Sequence, residues 1–309
     1  MKRFSNIIIY LVVGILSFLF FLYLSFPYNV LKETIAIRLS EASGLSVSIN
    51  NLGPRLVVGL KAEGVKLSSR SGKDIDLKSL SAQVSLLYLF IGKVQVNFEI
   101  VDSADGNLDL DVGFGLFDLI SGMAVPSSLS MTSQSFIVGN LVELGIRMQG
   151  ASPTMSPLVK PLLEKISVTG KLNSKVDFSF NTSDFSRSTG TMSISLVDAN
   201  VEFDPSMQIP GQKFESAVIK ANAQGGNFTF DPASRFKSKD LDIAFLGKII
   251  EKSKIQQSVI DMQIKVELFK ELKNTFGVVF NAIAGKDVDG KLDVKISGPV
   301  IPGPETKIL

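Results

Sequence analysis

From Gly44 onward, apolar and polar residues alternate with a period of two. Leu45, Val47 and Ile49 alternate with Ser and Asn, and the same pattern holds for Val94, Val96, Phe98 and Ile100 and for Leu108, Leu110 and Val112. It returns at Val176, Phe178 and Phe180, at Met192, Ile194 and Leu196, and at Ile219, Ala221 and Ala223. Further runs are Leu241, Ile243 and Phe245, then Ile260, Met262, Ile264 and Val266, and finally Leu292, Val294 and Ile296. Successive side chains of a strand point to opposite faces, so each run predicts a strand with one apolar and one polar face. Strands of that kind form antiparallel sheet. Asp105-Gly106, Gly225-Gly226 and Asp289-Gly290 lie where hairpins can reverse, because both residue types tolerate the positive φ a tight turn demands.

Helical spacing is scarce. Leu31, Ile35, Leu39 and Ala42 predict an amphipathic helix over 29–43, stopped by Gly44. It either caps the domain that follows or lies on a lipid surface. Leu268, Leu272, Phe276, Val279, Phe280 and Ile283 share one broad face of a helix predicted over Leu268 to Ala284. A shorter helix follows Pro157 and is interrupted by Pro161. Residues 113–135 and 149–157, rich in Gly, Ser and Pro, read as loops.

About ten one-sided strands present more apolar surface than two or three short helices can cover. The sheet therefore folds over on itself as a sandwich or barrel, or curls into an open groove that receives acyl chains. For the groove, the inward residues are Val176, Phe178, Phe180, Met192, Ile194 and Leu196; in a sandwich the same residues are ordinary core.

One block does not alternate. Ile7 to Phe26 holds twenty residues without a charge, long enough as a helix to cross the hydrocarbon core of a bilayer. Lys2 and Arg3 precede it, which places residues 1–6 in the cytoplasm and the chain after Pro27 on the far side. The exit sequence LYLSFPYN is bulky where cleavage of a signal peptide needs small residues, so the segment reads as a retained anchor.

Composition narrows the chemistry. The chain contains no Cys and no His, which removes disulfides, thiolate nucleophiles, Ser-His-Asp triads and the usual zinc sites. With 32 basic and 30 acidic residues there is no electrostatic footprint for nucleic acid. Aligning Gly106 or Gly290 with the glycine of a calcium loop leaves key ligand positions without carboxylates. Ser71-Gly-Lys73 lacks the upstream glycine of a phosphate loop, and Ser234 with Lys237 is a lone S-x-x-K. No catalytic residue, metal ligand or cofactor site is expected, and the chain reads as non-enzymatic.

An uncharged span running into FPYNVLKETI, the block SGLSVSINNLGPRLVVGLKAEGVKLSS and the ending DGKLDVKISGPVIPGP resemble the type II secretion system protein N (GspN) family in its long bacterial form. The block from Leu45 to Leu67 is also similar, more weakly, to AsmA-type envelope proteins, whose curved sheets are associated with lipid transport. The fold these imply is mainly β: an N-terminal transmembrane helix (7–26), a juxtamembrane helix (29–43) and a periplasmic domain (45–309) built on a large curved antiparallel sheet, AsmA-like or sandwich. The role they imply is an inner-membrane accessory of a secretion machine, partnered by the membrane, by other envelope components and by phospholipid.

Overall fold

A computed structural model describes Gly14, Ser17, Phe21 and residues 25–309 except 56–57, 69–73, 123–124, 143–144, 146–165, 208, 255–256 and 301–302. The predicted residues 1–6, most of the predicted anchor 7–26, the 149–157 loop, the helix after Pro157 and Ser71-Gly-Lys73 lie outside the described residues. Among the described residues no helix is long and apolar enough to cross a membrane.

The alternating runs pair in chain order. Helix α1 (Tyr28–Ser43) leads into β1 (Ser46–Pro54), β2 (Gly59–Ser68) and β3 (Asp74–Ser85). A short α2 (Leu86–Leu89) precedes β4 (Lys93–Asp102) and β5 (Asn107–Gly115), and α3 (Leu116–Ile120) precedes β6 (Pro126–Ile137). Next come β7 (Ile166–Ser179), β8 (Thr189–Phe203), β9 (Gln212–Gln224), β10 (Asn227–Phe230), β11 (Arg235–Ser238), β12 (Leu241–Ile250) and β13 (Val259–Leu268). Helix α4 (Lys270–Ala284), β14 (Lys291–Pro299) and β15 (Glu305–Ile308) close the chain.

All of these strands belong to one 15-stranded sheet, and they stand in it in the order of the sequence. Strands β10 and β11 share one position between β9 and β12. Where the chain leaves the ladder between them, Ser234 takes its place: its hydroxyl accepts from the Lys220 N–H at 2.9 Å and donates to the Lys220 carbonyl at 2.8 Å. That hydroxyl, on a buried residue, is bonded on both sides to the Lys220 backbone and so stitches the interruption into the sheet.

The chain is mainly β, as the alternation implies, and among the described residues its strands form one antiparallel sheet whose edge strands β1 and β15 do not pair with each other, so it is not a closed barrel. Three expectations are corrected. The predicted loop at 113–135 holds the end of β5, α3 and most of β6. Its Ser-rich strand disguises an alternation in which Leu129, Met131 and the buried Ser133 face inward while Ser128 and Ser130 face out. Asp289-Gly290, both at positive φ, joins α4 to β14 and is not a hairpin tip. Leu268 belongs to β13 and not to the helix that follows. Helix α1 ends as predicted, with Gly44 left-handed (φ 69) and its N–H on the Ser40 carbonyl.

The closed part of the molecule lies at the α1 end. Leu45, Val47, Ile49, Val65, Ile75, Leu77, Phe136 and Val138 are buried there. Leu31, Ile35, Ala36 and Leu39 of α1 and Leu141 and Val142 of a helical turn pack against them. Helix α1 is thus a cap. Asp102, fully buried, fixes this end: its Oδ1 accepts from the Ala104 and Gly106 N–H groups at 2.8 Å, and its Oδ2 from the Ile137 N–H at 2.6 Å. One carboxylate so holds the β4–β5 turn and the irregular end of β6, where Ser135 has φ 53.

Candidate apolar groove

The registers align the inward residues into rows that cross the sheet. One row runs Val84, Val96, Val112, Leu129 and Phe178 through β3, β4, β5, β6 and β7. It continues through Gly190 and Ala223 to Phe228, then Ile249, Ile260 and Gly298 on β14. Every position in that row is apolar or glycine. A parallel row passes through Leu60, Ala82, Phe98, Leu110, Met131 and Val176, then Met192, Ala221 and Phe230. One apolar face is therefore continuous over most of the sheet, and the alternation that predicts each strand separately adds up to a single surface.

The sheet bends toward this face. Phe178 and Phe228 lie three strand positions apart, which in a flat sheet separates their backbones by about 14 Å. Their rings are nonetheless stacked with centroids 5.9 Å apart. They meet over Gly190 and Ala223, the two small residues between them in the row. Phe180 stacks on Phe178 at 5.9 Å and lies 6.0 Å from Phe185, while Phe230 meets Phe228 edge-on at 5.3 Å. Beside this aromatic cluster, Val125, Pro126, Leu129, Phe180 and Phe185 line a cavity of 590 Å³ whose rim carries Thr182, Ser183, Ser253 and Lys254.

All six predicted groove residues share this face, but they do not share one role. Val176 is buried beneath its neighbours, opposite Met192. Phe178, Phe180 and Met192 are half-buried at the open part. Ile194 and Leu196 pack against the buried cluster at the α1 end and are core. The sequence reading missed Leu129, Phe185, Phe228 and Phe230. The alternating Phe residues of 227–230 carried a usable signal, whereas Phe185 comes from a turn that no periodicity marks.

The opposite face is polar. Arg55 pairs with Glu99 at 2.5 Å and Lys61 with Glu63 at 2.9 Å, around a cavity of 710 Å³ that Lys78 and Ser79 also line. Burial, then the nearby Glu99 and Asp111 charges, push the Asp109 carboxyl up. Among the described residues no group of three or more acidic side chains is placed to hold a metal ion. No family model matches the chain, and no curated protein or solved structure matches it either.

Proposed function

We propose that this protein is a membrane-anchored envelope protein whose curved sheet holds phospholipid acyl chains along its apolar face. The observation that carries the reading is the row of apolar and glycine positions from Val84 to Gly298, which runs unbroken across the sheet. An apolar face of that length is costly to leave in water, at roughly 25 cal/mol for each Å² exposed. Acyl chains supply an apolar layer, and the polar rim at Thr182, Ser183 and Lys254 suits headgroups. The weaker resemblance of Leu45 to Leu67 to AsmA-type proteins supports the same reading.

The stronger resemblance, to the type II secretion system N family, supports a place in the bacterial inner membrane with the sheet in the periplasm, as a non-catalytic accessory of secretion. The uncharged segment Ile7–Phe26 serves as its anchor. Lipid handling and that role are compatible. Native mass spectrometry of the detergent-extracted full chain tests the groove. Phospholipid at fixed stoichiometry, lost in Val112→Asp with the β circular-dichroism signal intact, supports it. A lipid-free wild-type chain refutes it.

A further inference from the structure

Two short turns crown the end of the sheet far from α1. The first, α2 with Phe90 and Ile91, links β3 to β4, and the second, α3, links β5 to β6. They are neighbours, since the Leu116 N–H donates to the Gly92 carbonyl at 2.9 Å. Their apolar side chains project outward: Leu87 is 78% exposed, Phe90 87%, Ile91 66%, Phe117 78% and Ile120 74%. Beyond α1, only Val278 of α4 is comparably exposed among the described large apolar residues, and these five lie together. Asp118 is the one charge in 86–92 and 116–122, and its carboxylate folds back over Gly115. Lys93 stands exposed just behind the first turn.

We infer that this tip docks into the surface of a lipid bilayer, a second membrane surface distinct from the one at the α1 end. The inference rests on the acyl-chain reading. Convex apolar turns without an acidic side chain aimed outward, backed by a lysine at headgroup depth, match a bilayer interface. Continuity with the groove argues the same way. Val94 and Phe114 face each other as the next inward pair beyond Val96 and Val112, and the two turns begin directly past them. The apolar path along the sheet so ends on the exposed tip, and an acyl chain passing between groove and bilayer there avoids crossing a polar rim.

The absence of cysteine makes the test direct. The full chain is held in nanodiscs, which occupy its apolar N-terminal segment. An environment-sensitive dye is placed at Ile120→Cys or, on the polar face, at Lys175→Cys. On addition of phosphatidylcholine–phosphatidylglycerol vesicles, the dye at 120 shifts to the blue and brightens, and the dye at 175 does not. Leu87→Glu with Phe90→Glu, and separately Phe117→Ser with Ile120→Ser, weaken vesicle capture about tenfold or more. The second pair covers failure of the first to fold. An unresponsive dye at 120, or capture unchanged in a folded double variant, overturns the inference. Mass spectrometry of the same samples reads the groove independently. A loaded groove with an unresponsive tip removes only the docking, and a responsive tip over an empty groove removes only the acyl-chain reading.

Discussion

Phe178 lies directly across from Gly190, and its ring covers the space a side chain there would fill. A Cβ at Gly190 would fall within contact distance of the ring and only 2.5 Å from the Asp177 carbonyl oxygen. The glycine lets the ring lie flat across β8 toward Phe228, and thereby lets the sheet curl. Gly190→Val is expected to destabilise the domain by about 1–3 kcal/mol. Combining it with Phe178→Ala recovers part of that loss, giving a non-additive double-mutant cycle in urea unfolding. Additive effects would mean that the two residues are uncoupled.

Asp102 is the main polar fastening of the closed end. Asp102→Asn keeps the size but replaces one acceptor oxygen with a donor, so at least one of the Ala104, Gly106 and Ile137 N–H groups is left buried and unpaired. An unpaired buried group costs about 1–3 kcal/mol. The expected result is a loss of that size in unfolding free energy, with faster hydrogen exchange at the Ile137 amide if the Oδ2 contact is the one lost.

Ser234→Ala tests the stitch between β10 and β11. It removes both hydrogen bonds to Lys220 without adding bulk. A loss of about 1–3 kcal/mol is expected, together with faster exchange at the Lys220 amide. A neutral effect would show that the interruption needs no side-chain support.

Glu251 follows β12 at the open end, with one carboxylate oxygen buried and without a hydrogen-bond partner. Burial pushes its carboxyl up. The folded chain thus holds this proton more tightly than the unfolded chain, so the ionised carboxylate lowers stability, fully above its folded pKa and not at all below the unfolded one. Glu251→Gln should raise the unfolding midpoint at neutral pH and leave it unchanged below the ordinary carboxylate range. An equal gain at both would assign the effect to something other than ionisation.

The strands were legible because a half-buried strand shows its two faces in a two-residue period. Val96, Phe98, Leu110 and Val112 gave themselves away individually. Pairing in chain order, which aligns Val96 with Val112 and Phe178 with Gly190, was not legible, since no local signal states which strand is the neighbour. The same limit separates the six predicted groove residues. Alternation places Met192 and Ile194 on one face, but only the packing of the α1 end turns Ile194 into core. Strand β6 was hidden because serines stand on both of its faces, Ser128 and Ser130 outward and Ser133 inward, and composition alone assigns such a run to a loop. Asp102 left no trace beyond a carboxylate four residues before a glycine, and its bond to Ile137 spans thirty-five positions.

The most direct test of acyl-chain binding uses two adjacent residues of β5. Asp111 points to the polar face and Val112 to the apolar one. A photoreactive phenylalanine analogue is placed at each position of the full chain in its native membrane, and the adducts are identified by mass spectrometry after illumination. Binding along the groove yields phospholipid adducts at 112 and none at 111. Adducts of 112 to another part of the same chain, or no difference between the two positions, would show that the apolar face is covered by protein and not by lipid.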